Sequence, residues 1–337
     1  MKVLVTGGAG YIGSVTTRLL VEAGHEIVVF DNLERGHFEA VDPSAVLVRG
    51  DLRRPEEIRR AVGEHRPEAL VHFAAYAYVG ESVSDPLGYY RNNVGGALAL
   101  VEAIAAVGSV RRIVFSSTCA TYGEPPEMPI RETMPQRPAN PYGETKLAVE
   151  RLLLAAQGPL GLEPVFLRYF NAAGASRDLG EDHDPETHLI PLALDAARGH
   201  RPHLEIFGDN YDTPDGTCVR DYVHVEDLAR AHLLALQAEV TGAFNLGTGR
   251  GHSVREVIDT AARVSGREVP YRVGPRRPGD PPTLVADATR AHEVLGWTPR
   301  SPALETMIAD AWEWHCRYPE GYRSPAAAGW RRAEPSR

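Results

Sequence analysis

Apolar positions fall into two alternating rhythms over the first half of the chain. Short runs rich in β-branched residues, at 2–6, 26–30, 45–48, 69–72, 112–116 and 164–168, have the continuous apolar character of strands covered on both faces. Between them, at 12–23, 55–65, 86–107 and 141–157, apolar residues recur at helical spacing. Pro55, Pro86 and Pro141 stand where a first helical turn tolerates proline. Strands alternating with helices predict an α/β fold, a doubly wound parallel Rossmann sheet with right-handed crossovers and helices on both faces.

The regularity fades after 168. Glycine, proline and acidic residues dominate 174–186 and 208–216, while a strand-like 219–225 and a helix-like 226–236 predict a return to the first sheet. The expected organisation is a first domain over 1–170, rejoined by 219–237, then a smaller mixed α/β domain over 171–324. The small, polar, proline-flanked stretch 325–337 is expected to be a frayed tail.

Composition narrows the function. A chain of 337 residues has room for two domains. A net charge of −9 argues against wholesale binding of nucleic acid or an anionic membrane, though not against a local arginine pocket. No apolar run approaches the roughly 18 residues that span a bilayer. The N-terminus enters Val3-Leu4-Val5-Thr6 with no secretory signal, so a cytoplasmic protein is expected. Cys119, Cys218 and Cys316, odd in number and far apart, fit reduced thiols. The thirteen histidines include no H-x-x-x-H pair with a glutamate, so no metal site is expected.

The chemistry begins at Thr6-Gly7-Gly8-Ala9-Gly10-Tyr11-Ile12-Gly13, between the first strand and the first helix. Gly7 suits a tight turn, Gly10 a close approach of backbone to a pyrophosphate, and Gly13 the closure of helix on strand. Tyr11 and Ile12 open a helix whose free N–H groups and dipole favour an anion. The second strand ends in Asp31-Asn32, at the distance of a ribose ligand. Asp31 would accept from the adenosine 2′-hydroxyl and repel a 2′-phosphate, which favours NAD over NADP; Arg35 is the counter-signal.

Tyr142-Gly143-Glu144-Thr145-Lys146 opens a later helix. Four residues apart, the phenol and the ammonium share a face. A free tyrosine, with a pKa of about 10, is a poor base; a nearby cation favours its phenolate. Phe115-Ser116-Ser117-Thr118 ends a strand, where a hydroxyl can reach the same substrate oxygen. Tyr142, Lys146 and Thr118 are therefore the candidate catalytic residues.

These stretches resemble the extended short-chain dehydrogenase/reductase family and, within it, the UDP-galactose 4-epimerases. The resemblance covers 1–322, through T-G-G-A-G-Y-I-G-S (6–14), H-F-A-A (72–75), V-G-E-S (79–82), Y-Y-R-N-N-V (89–94), S-S-T-C-A-T-Y-G (116–123), N-P-Y-G-E-T-K (140–146) and L-R-Y-F-N (167–171). It continues through H-L-I-P (188–191), F-G (207–208), D-G-T-C-V-R-D-Y-V-H-V (215–225) and R-R-P-G-D (276–280). It implies that Asp51, Leu52, Phe73, Ala74, Asn92, Ser116 and Tyr169 line the NAD site, with Tyr142 and Lys146 also at the nicotinamide ribose. It implies that Asn171, His188, Leu189, Phe207, Arg220 and Arg277 hold the UDP-sugar, with Asp280 on a ribose hydroxyl. Two arginines can neutralise a diphosphate, and an aromatic ring can stack on uracil. By the same resemblance Leu284 faces the sugar 2-position, and the working unit is a homodimer.

The implied activity is reversible inversion at the sugar 4-position through a transient 4-keto sugar. Three positions depart from the family pattern: Ala77 where a lysine is frequent, His188 where an asparagine is usual, and Thr118 in place of serine. A nucleotide-sugar 4,6-dehydratase would carry an acidic pair after Thr118, where Cys119 and Ala120 stand. A non-catalytic NAD-sensing protein would commonly lack the tyrosine or the lysine.

Overall fold

In the computed structural model, which describes residues 1–277 and 279–324, the chain opens with β1 (Lys2–Thr6), α1 (Tyr11–Glu22), β2 (Glu26–Asp31), β3 (Val46–Arg49), α2 (Pro55–His65) and β4 (Ala69–His72). The tail expected over 325–337 lies outside the described residues. Two short helices, α3 (Val79–Ser84) and α4 (Pro86–Tyr89), lead through a π-helical stretch, Tyr90–Gly95, into α5 (Gly96–Val107). β5 (Arg112–Thr118), α6 (Pro141–Leu160) and β6 (Glu163–Tyr169) follow. Pro55, Pro86 and Pro141 each occupy the first turn of their helix.

The rest supplies β7 (Asn171–Ala173), α7 (Leu189–Arg198), β8 (Leu204–Phe207), β9 (Val219–His224), α8 (Val225–Gln237) and β10 (Gly242–Leu246). After these come β11 (Gly251–Ser253), α9 (Val254–Ser265), β12 (Tyr271–Gly274), β13 (Thr283–Leu284), α10 (Thr289–Leu295) and α11 (Leu304–Arg317).

Seven parallel strands form the main sheet in the order β10-β6-β5-β4-β1-β2-β3. Successive side chains serve opposite cores. Leu4, Val28, Ile113 and Phe166 pack with Ile58, Leu100 and Val149 of α2, α5 and α6. Val3, Val29, Val114 and Phe244 pack with Leu20 of α1, Leu228 of α8 and Trp297. Burying each such side chain contributes about 1.5–3 kcal/mol, so both faces drive the sandwich. The strand order reverses between β1 and β4, and a crevice for ligand opens at the carboxyl ends of such strands.

One expectation is corrected. The strand at 219–225 forms but does not join the main sheet. As β9 it pairs with β11, β13 and β7 in a second, four-stranded sheet. The return to the main sheet is made by α8, which packs on α1, and by β10, which pairs in parallel with β6. A third, two-stranded sheet of β8 and β12 borders a core built from α7, α9 and α11.

Candidate active site

The turn after β1 leaves no room for side chains. Gly7 has φ +74°, and a Cβ there would stand 2.5 Å from the Ala74 nitrogen. A Cβ on Gly13 would stand 2.1 Å from the Gly7 carbonyl oxygen, so the helix can only sit this close to the turn with glycine. Gly10 is the N-cap of α1 and no side chain caps that helix, which leaves its first-turn N–H groups, at Tyr11 and Ile12, for an anion. Asp31 is buried at the end of β2, and its carboxylate accepts from the Ala9 and Leu33 nitrogens at 3.0 and 2.9 Å. Burial raises its pKa, partly offset by those hydrogen bonds. Asn32 bridges to Asp51 at 3.3 Å, while Leu52 packs into the core.

Arg35 does not act as a 2′-phosphate receptor in this arrangement. It pairs with Glu81 at 2.6 Å and lies against the rings of Tyr76 and Tyr78, at 4.8 and 4.5 Å. A positive charge thus stands beside Ala77, where the family lysine is missing. Phe73 and Ala74 follow β4, with the Ala74 nitrogen donating to the Thr6 carbonyl. Asn92 lies in the π-helical stretch and donates to Asn93, which in turn ties Tyr76 to Thr145 of α6. An uncapped helix start, a turn that excludes Cβ atoms and a buried carboxylate fit the pyrophosphate and ribose of NAD.

The candidate hydride-transfer residues meet where β5 ends and α6 begins. Asn140 caps α6 by accepting from the Gly143 nitrogen at 2.9 Å, which sets Tyr142 in the first turn. Gly143 is required there, because a Cβ would stand 2.6 Å from the Ala120 carbonyl oxygen. Thr118 Oγ1 accepts from the Ala120 nitrogen at 3.1 Å. Lys146 Nζ donates to the Ser116 carbonyl at 2.8 Å and stands 5.9 Å from the Tyr142 ring centre. Ser116 Oγ and the Tyr169 hydroxyl share a short hydrogen bond.

Burial pushes the Tyr142 phenol well above its usual range, against the hydrogen bond from Thr118. Burial also pushes Lys146 down to about 7, resisted by the Glu150 carboxylate one turn on. The cation expected to draw the phenol down is therefore itself easily discharged. Glu150 is paired beneath with Arg168, at 2.6 and 2.9 Å, in a buried network that includes Ser117 and Tyr122.

The second sheet carries three of the candidate substrate-side residues, Asn171, Arg220 and Leu284. Leu284 of β13 is the register partner of Arg220 in β9, and it packs with Cys119, the residue after Thr118. Arg220 pairs with Asp280 by a short contact and donates to the Val219 carbonyl at 2.8 Å. Arg277 lies over Phe207, its guanidinium carbon 3.7 Å from the ring centre. Asn171 begins β7 beside Tyr222 of β9, and Leu189 begins α7. His188 is turned elsewhere: its Nδ1 meets Glu181 at 2.9 Å and Glu186 at 3.0 Å.

Sequence reasoning missed the Arg276–Tyr211 stack, 4.1 Å from guanidinium carbon to ring centre, which neighbours the Arg277–Phe207 pair. It also missed the grouping of His183 and His188 with two glutamates. The string E-D-H-D-P-E-T-H carried that signal at a spacing belonging to a loop rather than a helix.

Residues 3–247 match the model of the NAD dependent epimerase/dehydratase family. The chain is 51% identical over 325 residues to UDP-glucose 4-epimerase of Streptomyces lividans, covering 95% of this chain and 98% of the relative. It is 49% identical over 328 residues to UDP-glucose 4-epimerase of Lacticaseibacillus casei, covering 96% and 99%. Among solved structures, UDP-glucose 4-epimerase from Brucella ovis in complex with NAD superposes with a TM-score of 0.89 at 50% identity, over 93% of this chain and 97% of that one. The Bifidobacterium longum enzyme in complex with NAD+ and UDP superposes with a TM-score of 0.91 at 37% identity, over 95% of this chain and all of that one (100%). With residues 3–247 matched and relatives about half identical over nearly the whole chain, the chain belongs to the NAD dependent epimerase/dehydratase family.

Proposed function

We propose that this protein interconverts UDP-glucose and UDP-galactose by inverting the sugar 4-position with bound NAD. The observation that carries the reading is that Leu284, the register partner of Arg220, shares one apolar cluster with Cys119, the residue after Thr118, which supports a diphosphate clamp at Arg220 on the side of the Tyr142 phenol.

Tyr142, as phenolate, takes the proton of the sugar 4-hydroxyl while Thr118 hydrogen-bonds the same oxygen. The bound dinucleotide supplies the hydride acceptor, the later hydride donor and a positive charge beside the phenol. Asp31 and the open N–H groups of α1 hold its ribose and pyrophosphate. Arg220 and Arg277 keep the diphosphate fixed while the 4-keto sugar turns about its bond to it, so that either face can be presented. Tyr142 then returns the proton to the new 4-oxygen.

A 4,6-dehydratase would need an acid–base group after Thr118. Burial pushes the Cys119 thiol there up to about 12, against the pull of Arg220, and Ala120 has nothing to offer. We take the working unit to be a homodimer in the cytoplasm. Val83, Leu87, Leu98 and Leu154 leave exposed apolar surface on α3, α4, α5 and α6, which suits a helix-to-helix contact with a second copy.

Purified protein incubated with UDP-galactose should yield UDP-glucose on chromatographic separation, with no accumulation of NADH. Net NADH, or an unchanged sugar, would overturn the reading.

A further inference from the structure

The loop between β7 and α7 carries a group of side chains that the epimerase chemistry does not use. Glu181, His183, Glu186 and His188 each turn one ligand atom inward, all within 4.8 Å of one another. His188 Nδ1 lies 2.9 Å from Glu181 Oε1 and 3.0 Å from Glu186 Oε1. His183 Nδ1 lies 3.3 Å from Glu181 Oε1 and 3.7 Å from Glu186 Oε2. Ligand atoms at the corners of a tetrahedron with bonds of about 2.0–2.2 Å stand roughly 3.3–3.6 Å apart. From the shared Glu181 Oε1 the two ring nitrogens stand at 3.3 and 2.9 Å, at and just below that edge length, while Glu186 meets the two rings with different oxygens.

A second observation sets this group apart from an ordinary ion cluster. His183 Nδ1 is shielded from solvent, yet no hydrogen bond is aimed at it despite two carboxylates nearby. A shielded ring nitrogen held only by such long, poorly aligned carboxylate pairs is incompletely satisfied, and a cation on its lone pair would satisfy it. Charge can balance as well: a divalent ion that displaces the ring protons would leave two neutral imidazoles and two carboxylates, whose −2 it cancels. An entry path exists, because a cavity of about 240 Å³ lined by Asp182, Asp184, Asp195 and Glu320 includes Glu181, His183 and Glu186 in its wall.

We propose that Glu181, His183, Glu186 and His188 form a site for one divalent transition cation, zinc by ligand type. Two imidazoles and two carboxylates in a tetrahedral set suit zinc, whereas magnesium prefers oxygen ligands in an octahedron. With all four positions filled by protein the ion is structural, not catalytic. It fastens the loop to the start of α7, where Leu189 meets the substrate side. It also fastens the loop to Tyr78, whose ring centre lies 5.8 and 6.0 Å from those of His183 and His188.

The test uses the chelator-dialysed protein with its NAD retained. Calorimetric titration should show one zinc ion per chain, and cobalt in its place should give the intense visible absorption of four-coordinate geometry. Magnesium should give no binding heat. His183→Gln should weaken zinc binding at least 10-fold and abolish the zinc-dependent rise in Tm, with the metal-free fold unchanged by circular dichroism. Absent stoichiometric zinc, magnesium bound as tightly as zinc, or His183→Gln binding like wild type would each overturn the proposal. Should His183→Gln fail to fold, the wild-type cobalt spectrum decides: intense four-coordinate bands support the site, and weak six-coordinate bands sink it.

Discussion

Lys146 faces the ring of Tyr142 from 5.9 Å while its ammonium is tied to a strand carbonyl. At that distance any influence on the phenol would be exerted through space and not by a direct bond. Burial lowers the Lys146 ammonium to about 7 and raises the Tyr142 phenol, so the same enclosure disfavours the charged form of both.

Tyr142→Phe should lower kcat by about 10²–10⁴-fold with little change in UDP-sugar affinity, since only the proton acceptor is lost. Lys146→Met should move the rate profile to higher pH. The sign follows from the charge: with the ammonium gone, one positive charge near the phenol is lost, burial and the remaining Thr118 hydrogen bond stay, and phenolate forms at higher pH. A kcat/KM profile for each variant checks both, and an unshifted Lys146→Met curve would remove that role.

Glu150 and Arg168 are both nearly inaccessible, with side-chain exposures of 2% and 6%. Glu150→Gln strips the guanidinium of its counter-charge in a low-dielectric interior and should cost about 3–5 kcal/mol of folding stability. Denaturant unfolding measures the loss; an unchanged midpoint would show that the network relaxes around a lone cation.

Asp31 accepts one backbone hydrogen bond on each carboxylate oxygen, so Asp31→Asn removes the charge and keeps one of the two acceptors. Stripped wild-type protein should be rescued by NAD and not by NADP, and the variant should narrow that gap. Equal rescue of wild type by both cofactors would remove the argument from charge.

Leu284 is packed among Cys119, Tyr122, Ile130 and Phe170, so the space beside it is fixed. The N-acetylated sugar pair should be turned over weakly. Leu284→Ala should raise kcat/KM for that pair selectively, by roughly the 10- to 200-fold that modest pocket changes bring. A truncation that leaves the ratio of the two pairs untouched would show that the gate lies elsewhere.

Leu98 is 45% exposed on α5, and Leu87 on α4 is 72% exposed. Leu98→Glu should shift the sedimentation coefficient from that of a dimer to that of a monomer. A variant that sediments like wild type would take α5 out of the contact.

Much of this was legible along the chain, because Gly7, Asp31, Thr118, Tyr142 and Lys146 belong to strand–turn–helix units whose geometry is local. The π-helical stretch was not: Tyr90–Gly95 reads as plain helix, while in the fold Asn93 within it is tied to Tyr76 and Thr145, far off in sequence. β10 was also hidden, being five residues that become a strand through pairing with β6. The histidine–glutamate group stayed invisible because a loop, not a periodic element, gathers it.

The pairing of β10 with β6 also governs how the chain can be divided. Val165 and Phe166 meet Gly242 and Ala243, residues made long after the rest of the first sheet. During synthesis β6 therefore waits as an open edge until more than seventy residues have been added, with its backbone donors available to any passing strand. A fragment cut after 170 would keep that edge permanently and lose Phe244, Leu246 and the α8 face that cover it. Such a fragment should aggregate, while a protein nicked in the loops yet left whole should hold together.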